Sequence, residues 1–380
     1  MRIAIDVRPL SQGTQGGISR FGRNLIASLE NQDTDHEWVL YGTSSAPADL
    51  FPELEFHLVP GNYFRYSLVS LPNALRRDNC DALVSLSTEV LRRTIPTALI
   101  VYDLYALNYP SWMPARYKLT RTYWRQIIQA RIRVFAIRRL DAAIAISDYT
   151  ASEIRKHLKG SRVKVSAAYP AADPIFSDLS PSTESREVLF DRLGISPPYF
   201  LYVGALNWQK NVRTLLNAFE TVRASSIDPV SLVVVGHANW PVDDLRLGER
   251  TNVIAIPYLD DAELAILYSH SIAFVYLSLD EGFGLPVLEA MTTGVPVIVS
   301  TGGALPEVVG NAGLVVEPDC EEQVREALQT LLTDPTENRR QRVLSVERAH
   351  DYDWDRTART VVTCIVEITS TRKGGTRRHR

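Results

Sequence analysis

Short apolar runs alternate with helix-length amphipathic stretches twice along this chain, and a proline-rich interval separates the two rounds. Apolar runs at 2–7, 38–41, 56–59, 82–86, 98–102, 142–146 and 163–167 read as buried strands, with helical patterns at 18–29, 116–139 and 148–158 among them. Strands that are apolar along their whole length and interleaved with helices form a mostly parallel sheet covered on both faces. Residues 169–198 then carry Pro170, Pro174, Pro181, Pro197 and Pro198 among Ser and Asp, the composition of a linker. The alternation restarts with strands at 200–203, 232–235, 253–256, 273–277, 297–299 and 314–316, and helices near 212–223, 261–269, 285–293 and 321–332. A last helix over 354–370 follows Asp353, a suitable N-cap, and 371–380 reads as a disordered basic tail. At 380 residues the chain exceeds what one hydrophobic core usually serves. The expected architecture is therefore α/β: one doubly wound domain over 1–175, a second over 190–353, and a cleft between them.

Other classes are set aside by composition. Apolar content of 45% and charged content of 22% are those of a globular protein, and no apolar run approaches the roughly 20 residues that span a bilayer. Cys80, Cys320 and Cys364 are far apart and match no metal or redox spacing, which points to thiols in a reducing compartment. Met1-Arg2 runs directly into a strand pattern, so no signal peptide is read and a cytoplasmic location is expected. The net charge of −3 divides unevenly: residues 1–180 hold 22 Lys/Arg against 17 Asp/Glu, and the remainder 19 against 27. The first half is thus the one suited to an acidic partner or a membrane surface.

The chemistry concentrates in the turns that follow strands. Glu281-Gly282-Phe283-Gly284-Leu285-Pro286-Val287-Leu288-Glu289-Ala290-Met291 follows an apolar run. Glu281 falls in the turn at the strand's carboxyl end, and Glu289, eight residues on, about one turn into the next helix. In an open α/β sheet that crevice is where ligands bind. Glycine admits close backbone approach, Pro286 suits a first helical turn, and helix-start N–H groups favour phosphate. Carboxylates for hydroxyls beside a helix end for phosphate fit a sugar nucleotide, although this turn alone fits an ordinary βα connection with two solvated acids equally well. Lys210 lies in another strand-to-helix turn, Gly204-Ala205-Leu206-Asn207-Trp208-Gln209-Lys210-Asn211, where a cation can neutralise a diphosphate leaving group. Gly16-Gly17 stands at the start of the first helix, a phosphate-approach geometry without the G-x-G-x-x-G of nicotinamide-binding folds. Asp33-Thr34-Asp35, Asp351-Tyr352-Asp353 and Asp353-Trp354-Asp355 offer Asp-x-Asp patterns, but none follows an apolar strand. No metal is expected, and the later acids read as helix caps.

These motifs together resemble the retaining glycosyltransferases of family 4, whose two Rossmann-like domains form the GT-B fold. Glu281 through Glu289 matches their E-x7-E motif, followed by Gly294-Val295-Pro296-Val297 and Gly303-Ala304-Leu305-Pro306-Glu307-Val308, and Lys210-Asn211 matches their phosphate-binding loop. Gly16-Gly17-Ile18-Ser19-Arg20-Phe21 with Asn24-Leu25, and Tyr102-Asp103-Leu104 with Tyr109-Pro110 and Trp112, are similar to segments of bacterial mannosyltransferase-like members. The resemblance implies that Glu281 contacts hydroxyls of the donor sugar and Glu289 the ribose. It also implies that backbone N–H groups of Phe283, Gly284 and Leu285 bind sugar or phosphate oxygens, and that Tyr258 and Leu259 border the base. Lys210 would stabilise the diphosphate, Gly16 and Gly17 would close on it, Arg20 would reach phosphate or acceptor, and Asp103 would join Glu281 and Lys210 in catalysis. Where relatives carry arginines this chain has Ala205 and Gln209, and where they carry histidine it has Tyr102.

The reaction so implied is metal-independent transfer of a hexose, with retention, from a nucleoside diphosphate sugar and with no cofactor. GDP-mannose is the favoured donor and UDP- or dTDP-sugars are alternatives. The acceptor is a glycan or polyprenyl-diphosphate-linked glycan of a cell-surface polysaccharide. A sugar-nucleotide epimerase of the same fold and a non-catalytic sugar-nucleotide-binding partner are the competing readings. From Leu104 to Leu140 there are eight Lys/Arg, from Arg116 to Arg139, and no Asp or Glu; Tyr123, Trp124, Ile128 and Phe135 are interleaved with them. A basic helix with aromatics suits an anionic membrane surface, hence a peripheral position on the inner face of the cytoplasmic membrane. No nucleic-acid motif accompanies it.

Overall fold

The computed structural model describes residues 1–11, 16–32, 35–87, 92–107, 118–177, 183–237 and 245–376. The chain forms two compact units, Met1–Pro170 with Asp353–Arg380, and Ala171–Tyr352. Unit 1 holds seven strands: β1 (Arg2–Asp6), β2 (Glu37–Gly42), β3 (Glu55–Leu58), β4 (Ala82–Ser85), β5 (Thr97–Val101), β6 (Ala142–Ala145) and β7 (Lys164–Ala167). Their order is β3-β2-β1-β4-β5-β6-β7, and every pairing is parallel. Unit 2 repeats the plan with β8 (Tyr199–Val203), β9 (Ser231–Val235), β10 (Val253–Ile256), β11 (Phe274–Tyr276), β12 (Val297–Ser300) and β13 (Leu314–Val316), in the parallel order β10-β9-β8-β11-β12-β13.

The central strands are buried on both faces: Ile3, Ala4, Ile5, Tyr199, Phe200 and Leu201 are fully inaccessible. This is why they read as unbroken apolar runs rather than as alternating ones. Helices cover both sheets. In unit 1 the main ones are α1 (Gly17–Glu30), α2 (Leu71–Arg77), α3 (Arg121–Ile137) and α4 (Asp148–His157). Unit 2 contributes α5 (Thr183–Leu193), α6 (Val212–Ser225), α7 (Asp261–His270), α8 (Leu285–Thr292), α9 (Glu321–Thr333) and α10 (Pro335–Ala349). The start of α7 is closed by a capping box in which Asp260 accepts from the Glu263 N–H and Glu263 from the Asp260 N–H.

Three expectations change. The interval at 169–198 is not a bare linker: Phe176 is fully buried, edge-on to Tyr268, and α5 lies within it. An amphipathic helix beside prolines is masked when proline is taken as a breaker. The last helix, α11 (Trp354–Thr376), belongs to unit 1, with Trp354 edge-on to Phe21 and the Ser28 hydroxyl donating to Asp355 at 2.7 Å. Helical backbone continues through Thr376 into the stretch read as a tail, and 377–380 lie outside the described residues. Asp353 does cap α11, accepting from the N–H groups of Asp355 and Arg356. Arg116, Tyr109, Pro110, Trp112 and the Asp33-Thr34 pair lie outside the described residues, and α3 begins at Arg121.

Candidate active site

In unit 2 the chain winds outward from β8 to β10 and returns at β11 on the other side of β8, so the strand order reverses between β8 and β11. Loops leaving neighbouring strands at such a reversal run apart and leave a crevice at the strands' carboxyl ends. Lys210 sits in the loop after β8 and Glu281 in the loop after β11.

Local chemistry fixes both loops. Asn207 caps a single 3₁₀ turn, Trp208–Lys210, its side chain accepting from the Lys210 N–H at 3.1 Å, and Asn211 in the left-handed region (φ 52°) redirects the chain into α6. Gln209, nearly buried, then joins the loops: its Nε2 donates to the Asp280 carbonyl at 2.6 Å, and its own carbonyl accepts from the Leu279 N–H at 2.7 Å. The loop after β12 presses on the same place. The Ala304 N–H donates to the Glu281 carbonyl at 2.8 Å, and a Cβ at Gly303 would stand 2.3 Å from the Glu281 backbone, so only glycine fits.

The result is a compact polar triad. Lys210 Nζ donates to Glu281 Oε2 at 2.5 Å and to the Tyr276 hydroxyl at 2.7 Å, and that hydroxyl lies 3.4 Å from the same carboxylate oxygen. The Lys210 and Glu281 side chains retain only 12% and 17% of their exposure. Burial opposes the charge on Lys210, but the Glu281 carboxylate outweighs it and holds the lysine pKa well above its ordinary value. Burial, reinforced by Glu281, pushes the Tyr276 phenol up to about 12, so it stays neutral at physiological pH. A buried cation beside a carboxylate at a sheet reversal can hold an anionic ligand and a hydroxylated one side by side.

Beyond Glu281 the turn ends at Gly284, whose φ of 101° starts α8 with Pro286 in its first turn. Phe283 is buried edge-on against Tyr352. Glu289 lies on the buried face of α8, 1% exposed, and accepts from the Tyr268 hydroxyl of α7 at 3.5 Å. After β10, Tyr258 is half exposed, whereas Leu259 is buried.

The remaining expected residues belong to unit 1. Gly16 (φ 148°) precedes α1, which begins at Gly17, and its carbonyl accepts from the Arg20 N–H at 3.0 Å. Asp103 follows β5, with Arg133 of α3 3.7 Å from its carboxylate. Tyr102, standing where relatives have histidine, is a core residue: its hydroxyl donates to the Leu86 carbonyl at 3.1 Å and its ring packs edge-on to Phe21.

Of the residues singled out from sequence, Lys210 and Glu281 are brought into direct contact. Tyr276, the Gln209 bridge and the close approach of Gly303 were not anticipated. Tyr276 was read as one more apolar strand residue. The available signal was two tyrosines, Tyr202 and Tyr276, near the carboxyl ends of strands that become central neighbours, and their rings stack with centroids 6.0 Å apart.

Two parallel doubly wound sheets, the second with cation and carboxylate at its reversal point, are the GT-B architecture. Residues 185–345, most of the second unit, match the family model described as glycosyl transferases group 1. The O-antigen chain mannosyltransferase B of Escherichia coli is 32% identical over 224 residues, 57% of this chain and 58% of that protein, so the match spans little more than half of that relative. Among solved structures, sucrose-phosphate synthase from Thermosynechococcus elongatus superposes with a TM-score of 0.73 at 18% identity, covering 97% of this chain and 99% of that one. WaaG, a glycosyltransferase involved in lipopolysaccharide biosynthesis, superposes with a TM-score of 0.70 at 19% identity, covering 96% and 99%. These structural likenesses speak to the fold.

Proposed function

We propose that this protein is a retaining glycosyltransferase that moves a hexose from a nucleoside diphosphate sugar to a hydroxyl of a glycan or lipid-linked glycan in cell-surface polysaccharide synthesis. The observation that carries the reading is the Lys210–Glu281 pair at the β8/β11 reversal, beside the start of α8. Transfer builds positive charge on the sugar and negative charge on the departing diphosphate. Lys210 stabilises the diphosphate, assisted by the N–H groups at the start of α8, and Glu281 accepts hydrogen bonds from sugar hydroxyls. Glu289 is assigned to the ribose, Tyr258 and Leu259 to the base, and Gly16, Gly17, Arg20 and Asp103 to the phosphate and acceptor side. The chemistry needs no metal: the lysine and the helix end supply the electrostatic stabilisation that a metal provides elsewhere. Mannose from GDP-mannose is the favoured donor, supported by the mannosyltransferase relative and by the Gly16–Leu25 segment, with UDP- and dTDP-sugars second.

We also infer a peripheral membrane position through α3. Trp124, Ile128, Ile132 and Phe135 are each about half exposed in one stripe, flanked by exposed Arg121, Arg125, Arg131 and Arg139. No helix among the described residues is long and apolar enough to cross a bilayer.

The deciding experiment screens GDP, UDP, dTDP and ADP sugars with polyprenyl-diphosphate glycan acceptors, for wild type, Lys210→Ala and Glu281→Ala. The reading requires transfer by wild type with a product that keeps the donor's anomeric configuration, and loss of most turnover in both variants. Conversion of a nucleotide sugar without acceptor identifies an epimerase, and binding without any turnover identifies a non-catalytic partner.

A further inference from the structure

If Lys210 holds the diphosphate and Glu281 the sugar, the carboxylate that anchors the lysine in the free protein is shared with the sugar when donor arrives. An ammonium has three N–H donors: one goes to Glu281, one to Tyr276, and one is left for an incoming anion. Glu281 is a shared anchor in this reading, because the same carboxylate that accepts from Lys210 also accepts from the sugar hydroxyls. A lysine head on a four-carbon stem without a fixed anchor is free to swing.

We propose that Tyr276 is a positioning residue of the donor site, holding the Lys210 ammonium on the donor's diphosphate while Glu281 is shared with the sugar; this rests on the donor-site reading above. The phenol is built to stay in place. Tyr276 is the last residue of β11, paired with Val299 of β12, and is 2% exposed. Its ring stacks on Tyr202 at 6.0 Å and on Phe274 at 5.7 Å, and the Tyr202 hydroxyl is itself fixed by donating to the Ala205 carbonyl at 2.9 Å. The charge is also right. A second carboxylate at this position would neutralise Lys210, whereas a neutral phenol accepts its hydrogen bond and leaves the positive charge for phosphate. With Ala205 and Gln209 where relatives carry arginines, this is the loop's cation, so its placement decides more here.

The test is calorimetric titration of GDP-mannose and GMP, and in parallel UDP-glucose and UMP, into wild type, Tyr276→Phe, Lys210→Ala and the double variant, each checked for native circular dichroism. Tyr276→Phe keeps the ring stack and removes one oxygen. It is expected to weaken the nucleoside diphosphate sugar about tenfold, roughly 1.4 kcal/mol, and to leave the monophosphate within about twofold. Adding it to Lys210→Ala is expected to cost nothing more. Wild-type diphosphate affinity in Tyr276→Phe alongside weak binding in Lys210→Ala overturns the positioning role alone. So does an equal loss for mono- and diphosphate, or an additive double variant. Unchanged diphosphate affinity in Lys210→Ala, or no nucleotide binding by wild type, overturns the donor-site reading together with this inference.

Discussion

The side-chain amide of Gln209 donates to the carbonyl of Asp280 at 2.6 Å, tying the loop that carries Lys210 to the loop that carries Glu281. The bond is buried and joins residues 71 apart in sequence. It explains why glutamine is well suited to this position: an arginine would bring charge, but the amide supplies a short, neutral clamp between two strand ends. Gln209→Ala leaves the Asp280 carbonyl without this donor, at a cost of about 1–3 kcal/mol. Urea unfolding should show that loss. Transfer should fall further than stability predicts, because the lysine and carboxylate are no longer held in register. A variant with wild-type turnover would show that the clamp serves the fold only.

The Lys210–Glu281 pair should behave as a mutually dependent unit in stability. Lys210→Met strands a largely buried carboxylate and is expected to destabilise by about 2–3 kcal/mol, whereas the double variant Lys210→Met/Glu281→Gln should recover much of it. The pH dependence follows from the raised lysine pKa. A group whose folded pKa exceeds its unfolded value stabilises fully below the unfolded value, about 10.4 for lysine, and loses that contribution as pH rises through the folded one. The stability difference between wild type and Lys210→Met should therefore be constant from neutral pH to about 10 and shrink only above it. Urea melts of both proteins at each pH measure the difference, and a decline between pH 7 and 9 would contradict the assignment.

Glu289 calls for a pair of substitutions, since it is buried and accepts from Tyr268. Glu289→Ala removes a side chain from a packed face and leaves the Tyr268 hydroxyl without this acceptor, so a lower melting temperature is expected along with weaker nucleotide binding. Glu289→Gln preserves volume and an acceptor oxygen. It should keep the fold while lowering affinity for the nucleoside diphosphate several-fold, because a ribose hydroxyl donates more strongly to a carboxylate than to an amide. Calorimetry on the glutamine variant separates the two roles, and unchanged affinity would remove Glu289 from the ribose.

What could be read from sequence follows from burial. β8 up to Tyr202 and all of β11 and β12 are buried on both faces, so composition alone marked them, and the turns after β8 and β11 carried Lys210 and Glu281. Elements defined by what they pack against were harder. Helix α10 was not read at all: it is polar on most faces and is held by contacts such as Arg342 donating to the Ser271 and Gly294 carbonyls. Phe176 anchors a segment whose prolines suggested only a connection. Tyr276 was invisible as a site residue because a tyrosine in an apolar run looks like core. Its hydroxyl acquires meaning only once β8 and β11 are neighbours, and that adjacency lies in the topology rather than in any local pattern.

The α3 surface can be tested without knowing the substrate. The residues facing the core, Tyr123, Ile127, Ala130 and Ile137, are buried, so Trp124, Ile128, Ile132 and Phe135 form a second apolar stripe that the core does not use. Exposed apolar side chains cost solubility when they have no partner, and the arginines beside them make a neutral partner a poor match. Flotation with vesicles containing anionic phospholipid should carry the wild-type protein at low salt and release part of it at high salt, because only the charge component is screened. Arg125→Glu/Arg131→Glu should lose most of the low-salt binding, at about 1 kcal/mol for each basic residue removed from the surface. Trp124→Ser/Phe135→Ser should instead abolish the salt-resistant fraction. Both double variants alter exposed positions and should melt like wild type. Wild-type protein that stays with the soluble fraction at low salt would assign this stripe to something other than a bilayer.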